Sequence, residues 1–360
     1  MEEKRMNNTV NKSLMNDVAV VGVGGAGTNI AFNFEKLGYT TIHINSSTQD
    51  ESAISGAKTI RHLKGFNGCA GNRQLAEQAI AKNMDIIDEI SALKESIIYI
   101  IFSSAGGTGS GVAPALAEML VEETDKTICC IVVLPDKTED YDFHVNSYKW
   151  CQELLNIKGL GSVMFLDNNA DNKQNINKHC ANMLHAFLTN NSVSEYGNVD
   201  EQEKRTMIAT SGNFVLSVLK ADKVSDASVI ERLTTKNIFA PLQKDNRCEY
   251  IGIINATGKK INKAKIINIV GTPIRTFEGF GSTNAITVIA GLSYPFDHIN
   301  SIKDIAKQKH DERENAIKAS PTMTLDDIDF GEKKVSKNVE ADKKANKKPS
   351  RRDRLKELQS

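Results

Sequence analysis

Apolar residues are distributed along the first half of the chain in two alternating patterns. Short continuous apolar runs predict buried strands, and these lie at Asp17–Val21, Thr41–Asn45, Ile97–Phe102, Thr127–Leu134 and Ser162–Asp167. Apolar residues three or four positions apart predict helices between the strands, one ending near Leu37 and others at Asn72–Leu93, Val112–Glu123 and Tyr141–Leu155. Because strands and helices alternate, we expect a doubly wound α/β fold, a mostly parallel sheet with helices on both faces.

The second half of the chain changes pattern after a long helix. Apolar side chains at helical spacing between Asn175 and Thr189 predict this central helix. Strand-like runs then follow at Gly212–Leu219, Tyr250–Thr257 and Ala285–Ser293, with helical segments between them at Ala227–Thr235 and Lys263–Thr276. We therefore expect a second, smaller α+β domain, followed by a charged helix at Ile299–Lys318.

A two-domain organisation fits the length of 360 residues, because single cores rarely grow past about 250–300 residues. The predicted parts are an N-terminal extension at 1–16, a first domain at 17–174, the central helix at 175–192, a second domain at 193–297, a C-terminal helix region at 298–330 and a tail at 331–360.

The composition predicts a cytoplasmic protein with no membrane partner. Hydrophobic residues make up 40% of the chain and charged residues 25%, and the apolar runs are too short to cross a bilayer. Residues 1–16 are polar and lack the apolar core of a signal peptide. The six cysteines show no paired metal-ligand spacing, so we expect buried, reduced thiols.

The tail is basic although the formal net charge of the chain is zero. Residues 331–360 contain eleven Lys and Arg against five Asp and Glu, a net of +6, so the rest of the chain carries −6. Since the tail has almost no residue that could form a core, we expect it to be disordered and to bind an anionic partner. A solubilising extension that binds nothing is the alternative.

The candidate chemistry centres on a glycine-rich turn after the strand Ile97–Phe102. Residues 103–111 read Ser-Ser-Ala-Gly-Gly-Thr-Gly-Ser-Gly, and a helix follows directly. Such a backbone can curl with its N–H groups inward, and the positive end of the helix dipole adds to that field. The turn can therefore cradle a multiply charged phosphate. A glycine-rich turn without a ligand is the alternative.

A second glycine-rich turn follows the first strand and is ambiguous by itself. Gly22, Gly24 and Gly27 also satisfy the Gly-x-Gly-x-x-Gly pattern of dinucleotide-binding folds. A dinucleotide site needs an acid near the end of the second strand, whereas residues 43–45 read His-Ile-Asn. No Gly-x-x-x-x-Gly-Lys-Ser/Thr string occurs, which excludes the P-loop class. A Rossmann oxidoreductase remains a remote alternative.

Together the two turns resemble the tubulin/FtsZ family of GTPases. The string Gly-Gly-Thr-Gly-Ser-Gly at 106–111 is the signature of that family, and residues 22–29 match its first loop, Gly-x-Gly-Gly-x-Gly-x-Asn, at every fixed position. The resemblance covers about residues 17–295. It implies a tubulin/FtsZ-like GTPase domain that binds GTP and GDP and uses Mg²⁺, although the sequence shows no dedicated protein cage for the metal.

The resemblance also implies which residues contact the nucleotide. A third small-residue turn at 67–73 resembles the loop that faces the γ-phosphate, with an ordinary helix cap at Asn72 as the alternative. Glu139 resembles the ribose-contacting carboxylate, and Asn168 the asparagine that binds guanine. The implied contacts are Gly24, Gly25, Ala26, Asn29, Asn45, Gly68, Ala70, Gly71, Asn72, Ala105, Gly106, Gly107, Thr108, Gly109, Ser110, Glu139, Asn168 and Asn177, where Asn175 is nearly as well placed as Asn177.

The segment Asn-Val-Asp-Glu-Gln-Glu at 198–203 is the candidate catalytic element. By itself it is an acidic helix start, capped by Asn198 or Asp200. It resembles the family's synergy loop, Asn-x-Asp-x-x-Glu, whose carboxylates reach the nucleotide of the neighbouring subunit. The resemblance implies that Asn198, Asp200 and Glu203 are catalytic, with the two acids orienting a water for attack on the γ-phosphate. It also implies head-to-tail assembly into filaments.

The tail and the ribose loop favour one branch of the family. Cell-division FtsZ normally ends in a short apolar peptide, whereas residues 343–360 are basic and contain only two leucines. The ribose loop also lacks the aromatic residues and the arginine usual in FtsZ. The chain as a whole is similar to the TubZ-type tubulins of plasmids and phages, which implies DNA partition through a DNA-bound adaptor that binds the tail. A divergent FtsZ of cell division is the alternative.

Overall fold

The computed structural model describes residues 13–154, 156–244, 247–319 and 350–358, and one ten-stranded sheet runs through them. The strands are β1 Val18–Val23, β2 Thr40–Asn45, β3 Ile60–His62, β4 Ile97–Ser103, β5 Thr127–Leu134, β6 Ser162–Asp167, β7 Gly212–Lys220, β8 Tyr250–Ala256, β9 Arg275–Ser282 and β10 Asn284–Leu292. The α-helices are α1 Gly24–Lys36, α2 Thr48–Ala53, α3 Arg73–Ala81, α4 Asp85–Ser91, α5 Gly107–Glu123, α6 Tyr141–Leu154, α7 Lys173–Thr189, α8 Glu201–Ala209, α9 Asp226–Thr234, α10 Lys263–Val270, α11 Phe296–Ala319 and α12 Arg351–Glu357.

The strand order is β3-β2-β1-β4-β5-β6-β7-β10-β8-β9. Every pair from β3 to β7 is parallel, whereas β10 runs antiparallel to both β7 and β8. The first six strands have the order of a doubly wound fold, in which ligands bind at the carboxyl ends of the strands. The expected doubly wound α/β architecture, a mostly parallel sheet with helices on both faces and α7 as the long central helix, is confirmed.

Two hydrophobic cores lie on the two faces of the sheet, because alternate side chains of a strand point to opposite faces. Val20 and Tyr99 face one core, where they pack with Phe187 of α7. Val21 and Ile100 face the other, which helices α3, α5 and α6 cover. All six cysteines are free and buried, as expected.

The second half of the chain extends the same sheet. Strand β7 pairs with β6, with Gly212 opposite Ser162 and Asn213 opposite Val163. Strands β10, β8 and β9 then extend the sheet beyond β7. The strands after the central helix therefore share one continuous sheet with those before it. The domain boundaries given above stay a prediction.

Two predicted helices end earlier than expected. The predicted helix Asn72–Leu93 is two helices, α3 and α4, because the buried Asn83 side chain accepts from the N–H of Lys64 at 3.0 Å and donates to the carbonyl of Ala79 at 2.8 Å. The predicted helix Lys263–Thr276 was wrong beyond Val270. Gly271 there has φ of 86°, which ends the helix, and the chain continues into the unpredicted strand β9.

Part of the predicted tail has a defined structure. Residues 331–349 and 359–360 lie outside the described residues, as do 1–12 and 320–330, so the expectation of disorder is not addressed there. Arg351–Glu357 form helix α12, which Ser350 caps and which packs against α3 and α5. This part of the tail is helical rather than disordered because its leucine is buried and its arginines are paired with acids. Within the described ranges, no helix is long and apolar enough to cross a membrane.

Candidate active site

A cavity of about 390 Å³ lies at the carboxyl ends of β1 and β4. The predicted contacts that line it are Gly24, Gly25, Ala26, Gly68, Ala70, Ala105, Gly106, Gly107, Thr108, Gly109 and Glu139. Lining residues that the sequence analysis missed are Val23, Ser47, Asp50, Cys69, Ser103 and Phe143. The three small-residue turns, which are far apart in sequence, therefore meet around one concave site.

Two helix N-termini point into this cavity. Helix α1 begins at Gly24 and α5 at Gly107, so most of each glycine-rich turn is the first turn of a helix rather than a loop. The first N–H groups of a helix lack intrahelical partners, and neither terminus has a side-chain cap. Each terminus also carries roughly half a positive charge from the helix dipole. The pair is suited to bind a multiply charged phosphate.

Most glycines of these turns serve close packing rather than an unusual backbone. Of the glycines in the two turns, only Gly24 has a positive φ, 68°. A Cβ on Gly27 would lie 2.0 Å from the carbonyl oxygen of Ile101, and one on Gly111 would lie 2.5 Å from that of Arg73. A Cβ on Gly106 would meet nothing within 4 Å. Gly106 therefore faces open space in the cavity, and the other two let α1 and α5 approach their neighbours.

The third turn adopts a strained backbone and is joined to the second. Ala70 has φ of 44° and Gly71 has φ of 76°. The Asn146 amide donates to the carbonyl oxygens of Gly71 at 2.8 Å and Ala105 at 3.1 Å, so helix α6 bridges the two turns. Asn72 caps α3 by accepting the backbone N–H three residues on, at 3.0 Å. Its side chain thus performs the cap role that was the alternative interpretation.

Several predicted contacts lie outside the cavity lining, namely Asn29, Asn45, Gly71, Asn72, Ser110, Asn168 and Asn177. Asn45 and Ser110 support the turns instead. The buried Asn45 Oδ1 accepts from the N–H groups of Ser46 at 2.8 Å and Ser47 at 3.2 Å. The Ser110 hydroxyl donates to the carbonyl oxygen of Gly106. These side chains fix the backbone that faces the cavity.

The predicted ribose and base contacts lie along the edge formed by the β5–α6 turn, the β6–α7 turn and α7. A Glu139 carboxylate oxygen accepts from Lys173 Nζ at 2.7 Å, and this bond raises the pKa of Lys173. Asn168 is half-buried in the turn after β6, and Asn177 lies one turn into α7, also half-buried. Asn175, the alternative to Asn177, donates to the Asp171 carboxylate at 3.1 and 3.2 Å. Neither residue lines the cavity, and the choice between them stays a prediction.

Asp50 is the missed residue with the clearest chemical role. Its carboxylate oxygen lies 2.9 Å from the position that a Cβ on Gly25 would occupy, at the N-terminus of α1. A carboxylate beside a phosphate cradle is the hard oxygen ligand that Mg²⁺ prefers. The sequence signal was an acid five residues after β2, in the first turn of α2, which Ser47 caps.

The candidate catalytic acids are the first residues of α8. Asp200 is the N-cap and accepts the N–H of Glu203 at 2.8 Å, while the Glu203 carboxylate accepts the N–H of Asp200 at 3.1 Å. Lys204 is buried behind them, and desolvation lowers its pKa to about 8. Lys204 Nζ donates to the carbonyl oxygen of Asn190, the C-cap residue of α7, and so connects α8 to the central helix. Asn198 precedes this cap, and its backbone packs against Gly279 of β9.

The candidate catalytic acids and the cavity lie at opposite ends of the strands. Arg205 of α8 pairs with Asp17 and donates to the Ser96 hydroxyl at 3.0 Å; these residues immediately precede β1 and β4. The cavity lies beyond the other ends of the same two strands. Because β4 has seven residues and a strand rises roughly 3.3 Å per residue, the two ends of the strand are about 23 Å apart. One chain therefore does not bring its own acids to its own cavity.

Comparison with known proteins identifies relatives of this chain. Residues 17–175 match the Tubulin/FtsZ family, GTPase domain. The chain is 28% identical over 331 residues to the tubulin-like protein TubZ of Clostridium botulinum C phage, covering 88% of this chain and 90% of that protein.

Solved structures give the same result for the fold. The tail-truncated TubZ of Clostridium botulinum phage c-st superposes with a TM-score of 0.73 at 26% identity, covering 83% of this chain and all of that one. A helical model of the TubZ-Bt two-stranded filament has a TM-score of 0.75, covers 90% of this chain and 96% of that one, and at 17% identity shows the shared fold alone. Residues 17–175 therefore form a tubulin/FtsZ-type GTPase domain, and the chain is similar to TubZ over most of its length.

Proposed function

We propose that this chain assembles head-to-tail with GTP and hydrolyses it at the contact between two subunits. The observation that carries the proposal is the separation of the phosphate cavity from Asp200 and Glu203 by the length of β4. When two copies stack along the strand direction, the acids near the amino ends of the strands of one copy meet the cavity at the carboxyl ends of the strands of the next. Such a heterologous contact repeats without closing and generates a filament. A relative of this fold, TubZ-Bt, forms a two-stranded filament.

Within the composite site, the residues of this chain position the nucleotide and polarise the attacking water. The N-termini of α1 and α5 hold the phosphates, and the Gly68–Asn72 turn, which lines the same cavity in part, senses the γ-phosphate. Asp200 and Glu203 of the next subunit orient a water in line with that phosphate. Glu139 accepts from the ribose hydroxyls, and Asn168 and Asn177 bind the guanine edge.

The residues of the cavity fit a magnesium ion. Asp50 would hold it together with the nucleotide oxygens, because Mg²⁺ in phosphate sites typically takes one or two carboxylates and keeps several waters. The ion would neutralise charge on the β- and γ-phosphate oxygens.

Asp200→Asn tests the catalytic half of the proposal. Asn is a good N-cap, so α8 should keep its start while the carboxylate is lost. We expect GTP turnover to fall by about 10²-fold or more, the usual contribution of a general base, while GTP-dependent sedimentation persists. Ser225→Ala is the matched control, because it removes the equivalent capping-box side chain of α9 and leaves the acids in place. Normal turnover by Asp200→Asn would refute the assignment.

The dependence of turnover on protein concentration tests the composite site. Turnover per molecule of the wild-type protein should be low in dilute solution and rise steeply where sedimentable polymer forms. If dilute, unassembled protein is as active per molecule as polymer, the acids act within one chain and the proposal fails.

We further propose that the filament serves DNA partition. The support is the similarity to a phage TubZ over most of the chain, together with the basic tail. A chain ending at residue 330 should retain GTP turnover and polymer, and should lose co-sedimentation with the adaptor–DNA complex of its replicon. Retained co-sedimentation would remove the tail from this role and take away the main support for the partition proposal. A full-length chain that does not co-sediment with the complex would favour the alternative of a divergent cell-division GTPase.

A further inference from the structure

Helix α12 packs against helices of the first half of the chain. Helix α12 lies against α3 and α5, with its arginines directed at acids of the helical face. Arg351 contacts Glu77 of α3 at 3.3 Å and Glu118 of α5 at 3.7 Å. Arg354 contacts the other oxygen of Glu118 at 3.0 Å. One carboxylate of α5 is thus held by two arginines of the tail.

The remaining arginine of the segment is paired in the same manner. Arg352 pairs with Asp88 of α4 and approaches Glu123 of α5 at 3.5 Å. We name the surface formed by Glu77, Asp88, Glu118 and Glu123 the acidic groove. Each of the three arginines of α12 contacts at least one of these acids, so segment and groove are complementary in charge.

An apolar anchor accompanies the ion pairs. Leu355 is 1% exposed and joins the hydrophobic core that lies under α3 and α5. Leu358, one turn further on, is 44% exposed. Exposed ion pairs by themselves contribute little to stability, but burial of a leucine between them stabilises the helix in one position.

We propose that the acidic groove is a docking site for the basic segment 350–358 of the same chain, and that docking withholds its arginines from anionic partners. A tethered segment meets its site at an effective concentration on the order of mM, so weak contacts are enough to hold it. In the docked segment the side chains of Arg351, Arg352 and Arg354 are 19%, 29% and 39% exposed and each lies beside an acid, so they attract an external anion less strongly than free arginines do. This inference does not depend on the role in DNA partition.

Glu118→Lys tests the docking, because Glu118 contacts two of the three arginines. Glu122→Lys is the matched control, since Glu122 is an exposed acid of the same helix and forms no ion pair with α12 among the described residues. In the full-length, GDP-bound, unassembled protein, we expect hydrogen exchange of residues 351–357 to be at least tenfold faster in Glu118→Lys than in wild type, and unchanged in Glu122→Lys. Leu355→Asp should also lose protection, whereas Leu358→Asp should keep it.

Elution from immobilised heparin tests the masking. Glu118→Lys and Glu122→Lys carry the same added charge, so Glu118→Lys should elute at higher salt only if its tail has been released. Equal elution of these two variants overturns the masking. Wild-type exchange as fast as that of Glu118→Lys overturns the docking. Protection that increases with protein concentration means that a second copy supplies the segment, and overturns docking within one chain.

Discussion

Replacing Gly27 by alanine should destabilise the fold, although the same change usually stabilises a helix. Gly27 lies in α1, where alanine gains about 1 kcal/mol over glycine in propensity. Its new Cβ would lie 2.0 Å from the carbonyl oxygen of Ile101, which is 1.4 Å shorter than an ordinary contact of 3.4 Å, and 3.2 Å from the Cα of Phe102. Both neighbours are backbone of β4, so no side chain can rotate away. Overpacking of this kind costs about 3 kcal/mol or more, which leaves a net loss of about 2 kcal/mol.

Gly106→Ala is the control for this prediction. Gly106 has φ of −71°, which alanine adopts, and a Cβ there meets nothing within 4 Å. Its free energy of unfolding should stay within about 1 kcal/mol of wild type, on the stable side. Urea denaturation followed by far-UV circular dichroism measures both. Equal midpoints for Gly27→Ala and wild type would mean that α1 does not approach β4 so closely, and would refute the packing role.

Three further changes have defined outcomes. Burial lowers the pKa of Lys204 to about 8 from an ordinary value near 10.5, so the unfolded chain binds more protons between these values. The unfolding free energy of wild type relative to Lys204→Met should therefore rise by about 3 kcal/mol from pH 8 to pH 10.5 in urea titrations. Asp50→Asn should raise the Mg²⁺ concentration that gives half-maximal GTP turnover, with nucleotide-free stability unchanged. Gly71 has φ of 76°, and a Cβ there would lie 2.9 Å from Asp142 Oδ2, so Gly71→Ala should distort the turn and weaken GTP binding measured by calorimetry.

The positions of the phosphate turns could be predicted because they depend on local rules. A glycine-rich string between a buried strand and a helix fixes where the chain turns, and parallel strands bring such turns to one edge of the sheet. The predicted strands before Asp167 are close to β1, β2, β4, β5 and β6 for the same reason. Periodicity also predicted the central helix, which begins at Lys173.

The rest depends on contacts between residues far apart in sequence. Asn146 lies on α6 and bridges two turns that precede it by 75 and 41 positions. No local pattern marks an asparagine on an amphipathic helix for that role. Likewise, no local pattern shows that Gly27 packs against the backbone of β4, and the composition of the tail gives no sign that Leu355 is buried in the core under α3 and α5.

The mutual capping of Asp200 and Glu203 bears on how assembly would activate hydrolysis under the function that we propose. In the single chain each carboxylate already accepts a backbone N–H from the other residue, so both side chains are held at the edge of the sheet. A carboxylate has two oxygens and about four lone-pair sites, so one bond to the cap leaves capacity to orient a water. Stacking therefore has to supply proximity rather than a rearrangement of the acids. Turnover should then follow the number of subunit contacts in the polymer, without a lag between the formation of a contact and its activity.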